Sequence, residues 1–523
     1  MPLQITKNSK SIRKRIAVIC IYAIVFCMPQ YLYADSGAYK TGKHGDPSIG
    51  VYHDSNLPRG NCNQCHIQHD SDGPYDFGLF SPSDNGFCQS SGCHEYEYQS
   101  PPGDFYWAYP GNVPEWYNSA HGASTSLFPI GGREVKLCLQ CHNPHSESDP
   151  TNGVFPSATR QLEENGCYSF NGIPGEGCHG FNSANRPFGA DDIYTQMLKS
   201  TRHNVALATK VHSGDWSTSF PYGREPRTAN SGYFSDENWH VECVDCHNPH
   251  KATTQARIVG SNNIGGALLG IWGVEPTNGG PWITPSSFVS VDFTSLSAKE
   301  YQLCFKCHSY FAFGVTPPSG YTDNAREFNP ANVSFHPIED TIPANSYTSP
   351  SSENGFIETM ETPWDNNMHD MMVCSDCHSS EIAGEPKGPH GSSQPFLLIA
   401  SPSVSDNSLC LKCHKATVYA PAFDPGATET GSRFDSQTSG DEDASHYFHV
   451  TERGFGCRQC HGARQNEPPA SPEQSTPYPI EVGSLHGTNS LPGLMNGANI
   501  NSYSPGSCTP TCHEHVTYNT GQE

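Results

Sequence analysis

Seven stretches of this 523-residue sequence read C-x-x-C-H. They are Cys62, Cys65 and His66; Cys138, Cys141 and His142; Cys243, Cys246 and His247; Cys304, Cys307 and His308; Cys374, Cys377 and His378; Cys410, Cys413 and His414; and Cys457, Cys460 and His461. Three looser versions keep the second cysteine directly before a histidine. Cys88 and Cys93 have four residues between them, then His94; Cys508 and Cys512 have three, then His513; Cys167 and Cys178 have ten, then His179. Two thiols three positions apart stand about one helical turn apart, so both can add to the two vinyl groups along one edge of a porphyrin. The histidine that follows then sets its imidazole beneath the iron. This is the attachment chemistry of c-type haem. Zinc ribbons also use C-x-x-C, but they do not need histidine directly after each pair. Histidine is only 26 of 523 residues, so ten pairs in ten followed by histidine is not an accident of composition. The sequence therefore predicts ten covalent haems on twenty thioethers, with the ten histidines named above as proximal ligands. For Cys167 and Cys178 the alternative is a disulfide closing the glycine-containing loop 171–177.

The remaining histidines are not scattered. Taken two motifs at a time, the chain repeats one order: a histidine, a C-x-x-C-H, a second histidine, then another Cys–Cys-His motif. The non-motif pairs are His53 and His69, His121 and His145, His240 and His250, His369 and His390, and His449 and His486. Local echoes fix the register: Asn-Pro-His at 143–145 and 248–250, and His-Gly followed by Ser or Thr at 390–392 and 486–488. An internal repeat of this kind sets the architecture. It supplies one distal ligand for each of ten irons. His69 and His145 lie only three residues past a proximal histidine, and at about 3.3–3.6 Å per residue the chain between cannot pass round a ring edge. The downstream histidine is therefore expected to serve the second haem of its own module, and the upstream one the first; swaps between modules would leave the same spacing. His44, His203, His212, His336, His446 and His515 are left over and read as surface or core histidines.

On these motifs the chain resembles the doubled-CXXCH family of multihaem c-type cytochromes. The best match is His369 to His414, with "HGSSQPFLLIASPSVSDNSLCLKCH" as its second half, followed by His449 to His513. The resemblance implies low-potential bis-histidine haems that carry electrons in respiratory or extracellular chains. The loose second motifs and the long loop 251–303 depart from the pattern.

The elements that must position these groups are modest. The gaps between motifs are rich in Gly, Pro, Ser and Asn, without long helical periodicity or clean strand alternation. The expected fold is mostly irregular coil with short α-helices carrying the Cys–Cys-His motifs, wrapped round a chain of haems. Minor β-hairpins are expected where aromatic and β-branched residues gather, as in "GIWGVEPTNGGPWI" and "SSFVSVDF". AVILMFWYC make up only 35% of the chain, so the porphyrins are expected to supply apolar area that a leucine core would otherwise supply. The predicted organisation is a signal segment 1–34, then five two-haem modules at 35–110, 111–195, 196–320, 321–425 and 426–523.

Lys7, Lys10, Arg13, Lys14 and Arg15 precede an apolar run from Ile16 to Met28, and Ala34 offers a small residue before a cleavage point. This reads as a secretory signal, which places the mature protein in the periplasm or at the cell surface. No later stretch is long and apolar enough to span a bilayer. The full chain carries a formal charge of −24; losing that segment removes five basic and no acidic residues and leaves −29. Such a surface excludes nucleic acid as a partner and suits docking on basic patches of other redox proteins. Extracellular electron acceptors are a further class of partner. Two alternatives carry different expectations. A multihaem reductase of nitrite, hydroxylamine or a sulfur oxyanion would need an open haem site, yet no Cys–Cys-Lys motif is present. A filament-forming subunit would need head-to-tail contacts between copies, for example through His44 or His515.

Overall fold

In the computed structural model the described residues are 47, 52, 55–58, 61–66, 116, 118–124, 167–170, 173–203, 205, 241, 243–314, 322–341, 359–365, 370–424, 447–457, 500–504, 507–510 and 518–519, apart from 185, 188, 282, 333–334 and 404–405. The signal segment 1–34 lies outside them. So do two whole motifs, that of Cys88, Cys93 and His94 and that of Cys138, Cys141 and His142. The distal candidates His53, His69, His145, His240, His369 and His486 lie outside as well, with Cys460, His461, Cys512 and His513; of Cys508 only the backbone is described.

The chain divides into two compact units. One is made of Met1–Asp104, Ala108–Gly111 and Leu137–Glu163, the other of Phe105–Trp107, Asn112–Lys136 and Glu164–Glu523. In the first, the described part is the turn around Cys62–Gln64, a 3-10 turn in which Asn61 caps the amide of Asn63 at 2.9 Å. Cys65 closes this turn, its amide donating to the carbonyl of Cys62 at 3.1 Å. The sequence expects an α-helical turn at the motif; here Cys62 and Cys65 sit instead on the tighter 3-10 geometry, with Cys65 partly exposed.

The second unit is mostly coil with short elements, as the composition predicts. Its strands are β1 (Ser169–Phe170), β2 (Ile173–Pro174), β3 (Thr201–Arg202), β4 (Trp272–Pro276), β5 (Phe288–Asp292), β6 (Gly391–Ser392), β7 (Ile500–Ser504), β8 (Ser507–Pro510) and β9 (Tyr518–Asn519). They form small antiparallel sheets: β1–β2, β3–β6, β4–β5 and β7–β8–β9. The short helices include α1 (Tyr194–Met197), α2 (Cys243–Cys246), α3 (Glu300–Phe305), α4 (Tyr310–Phe313), α5 (Asn324–Glu327) and α6 (Ala416–Tyr419). Most described motifs sit on a single turn: α2, the end of α3, and 3-10 turns at Cys374–Asp376 and Cys410–Lys412. Among the described residues no helix is long and apolar enough to cross a membrane.

The long loop 251–303 holds the hairpin β4–β5, in register from Trp272 opposite Asp292 to Pro276 opposite Phe288. Here the molecule builds a conventional core, which low aliphatic content alone does not suggest. Trp272, Val274, Tyr301, Phe305, Phe311, Ala325, Ile338 and Met372 form one buried cluster. Trp272 and Phe288 both meet Phe311 edge to face, with ring centres 6.1 and 5.6 Å apart, a favoured aromatic geometry. Cys307, Cys374, Cys377 and Cys413 pack against that cluster. Aromatic side chains therefore supply apolar area beside the motif cysteines.

Candidate haem-binding site

Each regular motif described as far as its histidine closes in the same backbone hydrogen bond. The amide of the histidine donates to the carbonyl of the first cysteine in His66–Cys62 (2.9 Å), His247–Cys243 (2.9 Å), His308–Cys304 (2.8 Å), His378–Cys374 (2.9 Å) and His414–Cys410 (3.0 Å). The loose motif does likewise: His179 donates to Cys167 at 2.8 Å. Its extra residues leave the turn as the hairpin β1–β2. The amides of Gly175 and Gly177 return to the carbonyl of Tyr168 at 2.9 and 2.8 Å. Gly175 has φ +84°, a conformation that favours glycine. Among the described residues Cys167 and Cys178 are not joined in a disulfide.

Several motif imidazoles are oriented by carbonyl oxygens. Nδ1 of His179 meets Asp191 O at 3.1 Å, that of His247 meets Ala267 O at 3.0 Å, and that of His378 meets Phe396 O at 2.7 Å. A carbonyl only accepts, so Nδ1 carries the proton and Nε2 keeps its lone pair for a metal. Phe396 and Leu397 take φ of 59° and 61°, local strain at the turn that presents the Phe396 carbonyl.

Across from motif histidines stand others from distant parts of the chain. His121 faces His179 with ring centres 6.2 Å apart, His390 faces His247 at 6.1 Å, and His203 faces His308 at 6.1 Å. An imidazole nitrogen sits about 2.0–2.1 Å from a bound transition metal and about 1.1 Å from its own ring centre, so two rings on one metal have centres about 6.2 Å apart. Two imidazoles sharing a hydrogen bond of about 2.9 Å would have centres only about 5 Å apart. The three pairs thus fit a shared six-coordinate haem iron.

The second of each pair is also held in place. Nδ1 of His121 meets Pro249 O at 3.1 Å, which gives the Asn-Pro-His echo a purpose. Asn248 is buried; its side chain donates to Gly270 O at 3.0 Å and accepts from the His250 amide at 3.0 Å. His203 is hydrogen-bonded to the backbone of Pro389. Burial pushes the pKa of His121, His203 and His247 down, brings that of His179 to about 4 and that of His390 to about 3. These imidazoles stay neutral, the form that ligates a metal. Nδ1 of His390 is buried without a hydrogen-bond partner.

The pairing differs from the reading of the repeat. His121 faces the second motif of its module, not the first. His390 faces a motif of the preceding module. His203, left over by the repeat, faces His308, where the repeat places His250; the ring of His250 instead meets Trp116 edge on at 5.5 Å. His449 lies between Phe448 and Phe455, at 5.4 and 5.7 Å, and His414 meets Tyr419 at 5.2 Å. Recurrence could not reveal His203, because nothing elsewhere in the repeat matches it. One signal existed: it ends a Thr-Arg-His segment that can pair with the Gly-Ser after His390.

Successive motifs also touch. Cys167 is hydrogen-bonded to Cys243, and Cys304 to Cys374; Cys377 lies beside Cys413 and Cys410. His179 lies within electrostatic range of His247, and His390 of His203. Glu300, the first residue of α3, accepts from the amide and hydroxyl of Ser375 at 2.8 and 3.0 Å, so one motif's helix caps the next motif's turn. Arg257 pairs with Asp376 in that same turn.

Residues 367–418 match the doubled CXXCH motif family. The match spans Cys374–His378, Cys410–His414 and the turn that carries His390, and it indicates covalently bound haem c of the kind found in multihaem c-type cytochromes, which transfer electrons. No curated protein and no solved structure matches the chain.

Proposed function

We propose that this protein is a decahaem c-type cytochrome that passes electrons along a row of bis-histidine haems in a periplasmic or extracellular pathway. The observation that carries the reading is the set of three imidazole pairs at 6.1–6.2 Å, each built on a motif histidine. Haem, when bound, supplies the one-electron redox chemistry. The chain's own part is to fix ligands, spacing and electrostatics. Two imidazoles per iron leave no coordination position for a substrate, which favours electron transfer over a reductase.

The contacts between motifs support a continuous path. From Cys167 to His414 each motif adjoins the next in chain order. Cys167 meets Cys243, Cys304 meets Cys374 and Cys377 packs near Cys413, while His390 and His203, from the ends of one ladder, lie within electrostatic range of each other. The eight extra residues between Cys167 and Cys178 do not disturb the closing hydrogen bond, which supports haem attachment there also. The acidic chain would dock on basic patches of donor and acceptor proteins, at rates that fall with added salt.

An intact mass of the mature protein tests the count: ten haem increments are expected. Ferric electron paramagnetic resonance tests the role: only low-spin signals are expected. A high-spin haem at full loading, with turnover of nitrite, hydroxylamine or a sulfur oxyanion, would replace this reading with the reductase.

A further inference from the structure

Strands β3 and β6 come from segments far apart in sequence, yet they form one short antiparallel ladder. Thr201 pairs with Ser392 and Arg202 with Gly391. The same register places position 203 opposite position 390. The ladder is anchored from both sides. Lys199 Nζ reaches Ser380 Oγ at 2.7 Å, Glu385 at 2.6 Å and Glu381 at 3.3 Å. Buried Gln196 donates to Pro386 O at 3.1 Å. Two histidines therefore leave the end of one ladder for two different motifs: His203 for His308 and His390 for His247, each at 6.1 Å.

We propose that axial ligation crosses the two-haem modules at this ladder. His203, which lies outside the five-fold pattern, is the sixth ligand of the iron at the motif of Cys304, Cys307 and His308. His390, from the fourth module, is the sixth ligand of the iron at the motif of Cys243, Cys246 and His247. The inference rests on the reading that these motifs carry haem. Its content is that the module is a unit of sequence and not of ligation. One two-stranded ladder holds the distal ligands of two consecutive haems side by side and ties the third module to the fourth. Buried imidazoles packed merely as core would have no reason to keep the spacing of a shared metal in both pairs.

The test uses the holoprotein carrying His203→Met. Intact mass should equal that of the wild type apart from the substitution. One haem equivalent should gain the thioether-to-iron charge-transfer absorption of His/Met coordination. His203→Ala should instead convert one haem equivalent from low to high spin, and the reduced protein should bind one added equivalent of carbon monoxide. His390→Ala should do the same, and the double variant should show two equivalents. A full haem count with an unchanged low-spin spectrum in the His203 variants overturns the proposal. A wild-type protein without haem on the peptide of Cys304 and Cys307 overturns the haem reading itself. Should the variants fail to fold, a density map of the wild-type holoprotein decides. Continuous density from the iron above His308 to His203 is expected, and density to any other side chain overturns the assignment.

Discussion

The amide of His179 donates to the carbonyl of Cys167 at 2.8 Å across ten residues between the two motif cysteines. The same bond closes the regular motifs, where two residues intervene. What attachment requires is that both thiols face one porphyrin edge while the imidazole lies below it. The hairpin β1–β2 carries the surplus chain away from the turn, so the closing bond keeps its regular length. The adjacency of the second cysteine to histidine is strict; the distance to the first cysteine is not.

This gives the first prediction. Replacing both Cys167 and Cys178 with Ala should lower the covalent haem count by one. Cutting residues 168–177 to two residues should leave the count unchanged. Intact mass reads both. Loss of a haem on shortening would mean that the hairpin itself holds the cofactor.

Gly391 carries the second. A Cβ there would lie 1.9 Å from the carbonyl oxygen of Gln196, a backbone atom that cannot swing aside. Gly391→Ala should force β6 off β3 and cost about 1–3 kcal/mol, the range of a strained insertion into a packed site. Because His390 precedes this glycine, the loss of thermal stability should come with high-spin ferric signal. Destabilisation with a wholly low-spin spectrum would separate the ladder from ligation.

These cases mark what the sequence could and could not reveal. The attachment motifs were legible because thioether chemistry demands a fixed local spacing, and the doubled-motif match covers two of them, Cys374–His378 and Cys410–His414. The coil-rich fold with short motif helices followed from composition. The partner of His308 was not legible, since the ladder that brings in His203 forms between segments far apart in the chain and depends on register rather than on motif. The repeat was informative about which histidines matter but misleading about which motif each one faces. Likewise the aromatic cluster around Trp272 and Phe305 is drawn from the loop 251–303, α4 and residues near 325–338. None of those stretches carries a strong period alone.

Lys306 gives a third prediction. It lies inside the motif Cys304–His308 and is almost wholly buried, with Nζ 5.1 Å from the Trp272 ring centre and donating to Asp245 O at 3.1 Å. Asp245 belongs to the preceding motif, so a buried positive charge stands between two attachment sites. Such a charge opposes oxidation of a nearby haem to its more positive state. Lys306→Met should lower the midpoint potential of at least one haem by on the order of tens of millivolts in a spectroelectrochemical titration. An unchanged set of potentials would assign the lysine to packing alone.

The last prediction concerns pH. Glu339 accepts from Asn278 Nδ2 at 2.6 Å, and its other oxygen is buried without a partner. Burial, opposed by that hydrogen bond and reinforced by the nearby carboxylates of Glu275, Asp323 and Asp340, pushes its pKa from 4.5 up to about 8. Tyr301 also faces this group, and its hydroxyl donates to Glu275 at 3.0–3.1 Å. The folded protein therefore holds a proton here that the unfolded chain releases. Since the folded state binds more protons between pH 4.5 and 8, this site's stabilising contribution is complete below 4.5 and is lost as pH rises through that window, by at most about 1.4 kcal/mol per pH unit. Thermal melting of the holoprotein from about pH 5 to 8 should slope downward more steeply in the wild type than in Glu339→Gln, whose amide cannot ionise. Equal slopes would show that Glu339 does not hold its proton in the folded state.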